Sequence, residues 1–172
     1  GKEKIKQGHK HLIWLPNKPH LQGIIEKIDT TGNLAWGTLI DGSNDETGYE
    51  IIVNEGGLWF YAATNSTNLP ASRNAYQGSN AGGTDHFVGN LDVDGRLQFA
   101  TYFGGTGEDK YNEFGVIALA ANGESMVFAG YSEKETGFPI LGNSVDAPNI
   151  SSPNTISKIN IDEGFVKMIS RK

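Results

Sequence analysis

Leu91-Asp92-Val93-Asp94-Gly95-Arg96-Leu97-Gln98-Phe99 repeats the pattern of Ile28-Asp29-Thr30-Thr31-Gly32-Asn33-Leu34-Ala35-Trp36, 63 positions earlier. Each copy runs apolar, Asp-x-x-Gly, then apolar to aromatic. The Gly supplies the positive φ of a tight hairpin, and the Asp bonds its own backbone there. Further copies lie downstream. Trp59-Phe60-Tyr61-Ala62-Ala63 matches Met126-Val127-Phe128-Ala129-Gly130, and Thr64-Asn65-Ser66-Thr67-Asn68-Leu69-Pro70 has a degenerate copy ending at Phe138-Pro139. A chain that repeats itself at this spacing stacks copies of one supersecondary unit.

Period-two alternation is the main local signal on either side of these turns. In the second copy it predicts strands over 48–53, 58–63, 86–91 and 97–103. The third copy gives 115–120, 125–129, 156–161 and 165–170. Asn54-Glu55-Gly56-Gly57 and Ala121-Asn122-Gly123 make the first hairpin turns, so Gly95 and Gly123 are expected at positive φ. Long polar loops, 65–84 and 132–154, separate the second strand from the third. The first copy offers strands at 23–28 and 34–39, with 11–15 as a second strand and 3–6 as a weak first. Four antiparallel strands in a meander form a propeller blade. The expected fold is therefore all-β: two to three consecutive blades of an incomplete β-propeller. The blades would cover 1–41, 42–104 and 105–172 of a single segment, 1–172. No heptads or amphipathic helical segments occur, so helix should fall below ~10%.

Composition agrees with this reading. Of 172 residues, 23 are Gly and 6 Pro, and the hydrophobic fraction is 37%, which suits short strands and many turns. The formal charge of -6 argues against general nucleic-acid binding. Residues 1–20 run against that sign, with five lysines and one glutamate. They read as a solvated end or as a contact surface. The absence of cysteine excludes disulfides, zinc–thiolate centres and thiol catalysis. No apolar run approaches the ~20 residues of a membrane span, and no leader segment is evident.

Several clusters invite a chemical reading. Asn90-Leu91-Asp92-Val93-Asp94-Gly95 resembles half of a calcium loop, but the twelfth position is Thr101 and strands flank it. Ordinary turn chemistry is the better expectation. Asp41, Asp45 and Glu46 align with Gly104, Glu108 and Asp109. They read as solvated polar turns, or as a ring of loops suited to cations or sugars. His9 and His11 share one face of a strand and read as a surface pair; His20 and His86 complete the histidines. Trp14, Trp36 and Trp59 sit on strand positions and are expected to fill the space between sheets, with sugar stacking as the alternative. Asn65-Ser66-Thr67 and Asn149-Ile150-Ser151 fit a glycosylation tripeptide that is common by chance. Gly104-Gly105-Thr106-Gly107 precedes no helix and so makes no phosphate cradle.

The motifs resemble those of the bacterial β-propeller repeat family known as SBBP repeats. The resemblance rests on Tyr102-Phe103-Gly104-Gly105-Thr106-Gly107-Glu108-Asp109 and on Thr64-Asn65-Ser66-Thr67-Asn68-Leu69-Pro70. Ala75-Tyr76-Gln77, Gly82-Gly83 and Asp85-His86-Phe87-Val88 add to it. It is dense from about Leu34 to Gly142. Leu39-Ile40-Asp41-Gly42 departs from the double glycine, and residues 1–22 carry no family motif. The resemblance implies an exported or cell-surface module without catalytic residues. The expected role is non-enzymatic scaffolding or protein interaction. Carbohydrate or calcium binding is the alternative, and a propeller hydrolase comes third. No catalytic, cofactor or metal residue is assigned. The expected partners are other subunits or the rest of a larger propeller, with a glycan as the alternative and neither nucleic acid nor a membrane span.

Overall fold

The structure is a computed structural model that describes residues 19–110, 119–121, 125–132, 154–160 and 165–168. All regular structure among them is antiparallel β, with no helix. Among the described residues no helix is long and apolar enough to cross a membrane. The chain is all-β, as its alternation predicts.

A hairpin comes first, β1 (Gly23–Ile28) against β2 (Leu34–Ile40). A four-stranded sheet follows: β3 (Glu46–Asn54), β4 (Gly57–Thr64), β5 (Asp85–Asp92) and β6 (Leu97–Phe103) pair in chain order, each with the next. The third sheet is built on β9 (Ser125–Ser132), which pairs with β10 (Asn154–Asn160), and β10 with β11 (Phe165–Met168). Two short strands, β7 (Asp109–Lys110) and β8 (Leu119–Ala121), flank β9 on its other edge. In the middle sheet β3 fills that place as one strand, with its register broken between Thr47 and Glu50. The expected strands at 3–6 and 11–15, the residue Trp14, the basic cluster and the turn at Gly123 lie outside the described residues.

The middle sheet is apolar on both faces, so β4 and β5 are buried along almost their whole length. One face carries Leu58, Phe60, Phe87, Leu91, Ala100 and Tyr102. It packs against Ile25 and Ile40 of the first hairpin. The opposite face carries Trp59, Tyr61, His86, Phe99 and Phe103, all fully buried. On that side β7 approaches β5 and β8 approaches β3. Trp59 meets Phe99 edge-on, and Phe103 stacks on His86. The aromatics fill the space between sheets, as strand positions predict.

The hairpin turns repeat atom for atom. In the first, Asp29 N–H donates to Asn33 O and Gly32 N–H to Asp29 O, while Asp29 Oδ1 accepts the amides of Thr31 and Asn33. In the second, Asp92 N–H donates to Arg96 O and Gly95 N–H to Asp92 O, while Asp92 Oδ1 accepts the amides of Asp94 and Arg96. Gly32 and Gly95 sit at φ of 85° and 78°. Gly95 is held twice over, since a Cβ there would also lie 2.6 Å from the Trp36 ring. Trp36 Nε1 and Lys27 Nζ donate to Val93 O and Thr38 Oγ1 to Gly95 O, locking the first hairpin onto the second turn.

The polar stretch 65–84 is an edge cover. β6 would otherwise expose a row of unpaired amides. Instead Ala100 N–H donates to Ser72 Oγ and Tyr102 N–H to Gln77 O, and Ser72 N–H donates to Ala100 O. Leu69 is buried beneath the loop, and its amide donates to Tyr102 Oη. Serine and glutamine thus do for β6 what a fifth strand would do.

A buried carboxylate joint between sheets

The starts of β3, β5 and β7 and the ends of β4 and β6 gather at one end of the stack, opposite the hairpin turns. That end holds the buried charges. Glu46 and Asp109 are each 1% exposed. They are not the solvated turn residues that their loops suggest.

Glu46 opens β3. Its Oε2 accepts the Gly42 amide, and its Oε1 accepts the hydroxyls of Thr64 (2.9 Å) and Ser66. Its own N–H donates to Leu21 O, just before β1. Asp109 repeats the arrangement 63 positions on. Its Oδ2 accepts the Gly105 amide, and its N–H donates to Thr84 O, just before β5. In each copy the carboxylate closes its own connecting loop, and the backbone bond ties the sheet to the one before it. A buried carboxylate survives only when its oxygens are filled this way.

The second copy adds a third buried carboxylate. Asp85 takes the place held by Gln22 in the first copy. Asp85 is fully buried, and its Oδ2 accepts Gln77 Nε2 (2.7 Å) and the Ala81 amide (2.9 Å). Among the described residues no donor reaches its Oδ1. A Cβ built on Gly104 would lie 2.5 Å from Asp85 Oδ1 and 2.8 Å from Asp109 Oδ2, so both carboxylates crowd that one Cα. Gln77 spans the site, since its Oε1 accepts the Gly104 amide. Burial pushes the Asp85 carboxyl up to about 7; the Ala81 and Gln77 hydrogen bonds oppose the rise and the Asp109 charge adds to it. Chemically, the joint is a place to hold a proton.

Stability should follow that proton. The folded protein binds it more tightly than the unfolded chain, so its contribution is complete at acid pH. It is lost as pH rises from about 4 to about 7. Gly78, Ser79 and Ala81 above the site are exposed, so solvent damps the effect. We expect the unfolding free energy to fall by roughly 1–2 kcal/mol between pH 5 and pH 8. Asp85→Asn should flatten that slope, because an amide of the same shape does not titrate. Urea unfolding at stepped pH checks it. An equal slope in both proteins would remove Asp85 as its source.

The remaining candidates are placed as follows. Asp92 spends Oδ1 on its own turn and Oδ2 on Gln98 Nε2, so the half calcium loop is a hairpin. Asp41 Oδ1 meets His20 Nε2 at 3.3 Å, and Asp45 Oδ1 accepts the Leu21 amide. His86 is a core residue, its Nδ1 2.7 Å from Tyr61 Oη, and burial lowers its pKa to about 3. Asn65 and Thr67 are exposed, with Ser66 buried between them. His9 and His11 lie outside the described residues, as does Asn149. Among the described residues no three His, Cys, Asp or Glu side chains come together as a metal site. Periodicity gives no hint of Gln77 or Asp85. The signal was in the family-like motifs: residues 75–77, 82–85 and 102–109 converge on this joint.

No family model matches the chain. Over 29 residues, 17% of its length, it is 45% identical to part of the type II restriction enzyme NmeDI of Neisseria meningitidis serogroup C. That stretch spans 8% of the enzyme.

Proposed function

We propose that the three sheets are successive blades of a β-propeller, and that the chain is a non-enzymatic segment of it acting as a scaffold for protein contacts. One observation carries this reading: the 63-residue repeat recurs as the same hydrogen bonds, in the hairpin turns and in the joint. The motifs that look functional in sequence are spent on architecture. Asp92 and Asp45 accept backbone amides at the surface, and Glu46 and Asp109 accept them in the interior. An exported or cell-surface setting rests on the SBBP-like motifs alone.

A propeller closes with four to eight blades. The first hairpin turns Ile24, Ile28 and Leu39 to solvent. Such apolar surface on an end sheet is what a neighbouring blade covers. Sedimentation of the full chain tests the proposal. Self-association at micromolar concentration, weakened by Ile24→Lys with Leu39→Lys, is the expected result. A well-folded monomer that the double substitution leaves unchanged would overturn the scaffold reading.

A further inference from the structure

The first sheet is unfinished on one side. Among the described residues β1 pairs with β2 alone. In the middle sheet the counterpart of β1 is β5, whose second edge is taken by β4. The face beneath the gap is unfinished as well. β1 lies over the start of β3, where the Tyr49 ring sits directly on Gly23. Further along the same strand, Ile51 and Val53 point to the same side and are 49% and 72% exposed. A strand added to β1 would lie over them.

We propose that residues 11–15 of this chain add as a third antiparallel strand to the free edge of β1 and cover Ile51 and Val53. The segment His11-Leu12-Ile13-Trp14-Leu15 is apolar on both faces as a strand, so either register presents apolar side chains to β3. The connection has the right length and start. His20 is pinned to Asp41, and Leu21 is held by Asp45 and by the Glu46 amide. Residues 16–19 remain to link Leu15 to that anchor. Four residues reach ~13 Å, ample for a neighbouring strand ~4.8 Å away. A strand entering this way runs antiparallel to β1, as β4 does to β5. The inference needs no closed propeller and stands if the scaffold reading fails.

The absence of cysteine makes the test direct. Val53→Cys in the full chain is paired in turn with cysteine at positions 12, 13, 14 and 15, and mild oxidation is followed on a non-reducing gel. An intramolecular disulfide is expected at 12 and 14 or at 13 and 15, one alternating set and not the other. Hydrogen exchange of the β1 amides gives the second readout. Leu12→Asp with Ile13→Asp should speed it at least tenfold. Crosslinks that join two chains would mean that a second copy fills the gap and would overturn the proposal. Equal crosslinking at all four positions, or none with unchanged exchange, would do the same.

Discussion

Replacing Phe60 with alanine is expected to lower the unfolding free energy by roughly 3–5 kcal/mol, the cost of emptying a well-packed aromatic site. Phe60 is 2% exposed and lies between the first hairpin and the middle sheet. Its ring covers Gly89 on the adjacent strand and meets Phe87 at 6.1 Å. Gly89 has no side chain to move into the vacated volume. β4 is paired on both edges, so the backbone cannot close the hole either. Val93→Ala, at a half-exposed turn position, should stay within about 0.5 kcal/mol. The urea midpoint reports both, provided that the slope is unchanged. A Phe60→Ala loss under ~1 kcal/mol would mean that the two sheets do not pack face to face.

Glu46→Ala is expected to cost roughly 2–4 kcal/mol. It leaves the Gly42 amide and the Thr64 and Ser66 hydroxyls without their common acceptor. The hydroxyls can rotate toward other oxygens, but the amide cannot. Glu46→Gln keeps one acceptor and should cost less than half as much. Because Ser66 bonds the same carboxylate, Glu46→Ala and Ser66→Ala together should cost less than the sum of each alone. Additive losses would show that the two residues do not act through one bond. A Glu46→Ala protein as stable as the parent would remove the joint from the account of the fold.

The two substitutions separate what was legible in the chain from what was not. Phe60 was readable: it lies in an apolar strand next to a glycine turn, in a unit that recurs. Period-two alternation marks strands because successive side chains point to opposite faces, a purely local property. The Asp-x-x-Gly turns were readable for the same reason, since the Asp bonds amides two and four positions away. The strand ends were less so. β3 starts at Glu46 and not at residue 48, because a buried carboxylate and an inter-sheet bond extend it.

Glu46, Asp85 and Asp109 were not readable in their roles. A charged residue in a polar loop is usually solvated, and nothing within a few positions says otherwise. What buries them comes from far along the chain: Ser66 for Glu46, Gln77 and Gly104 for Asp85, Thr84 for Asp109. The loop 65–84 is the same case, polar in sequence yet laid along β6 as its missing neighbour. By itself, then, the sequence determined the strands, their turns and their repetition, because those depend on neighbours in the chain. The tertiary structure alone decided which polar groups face inward, because burial and its compensating hydrogen bonds exist only once the sheets have stacked.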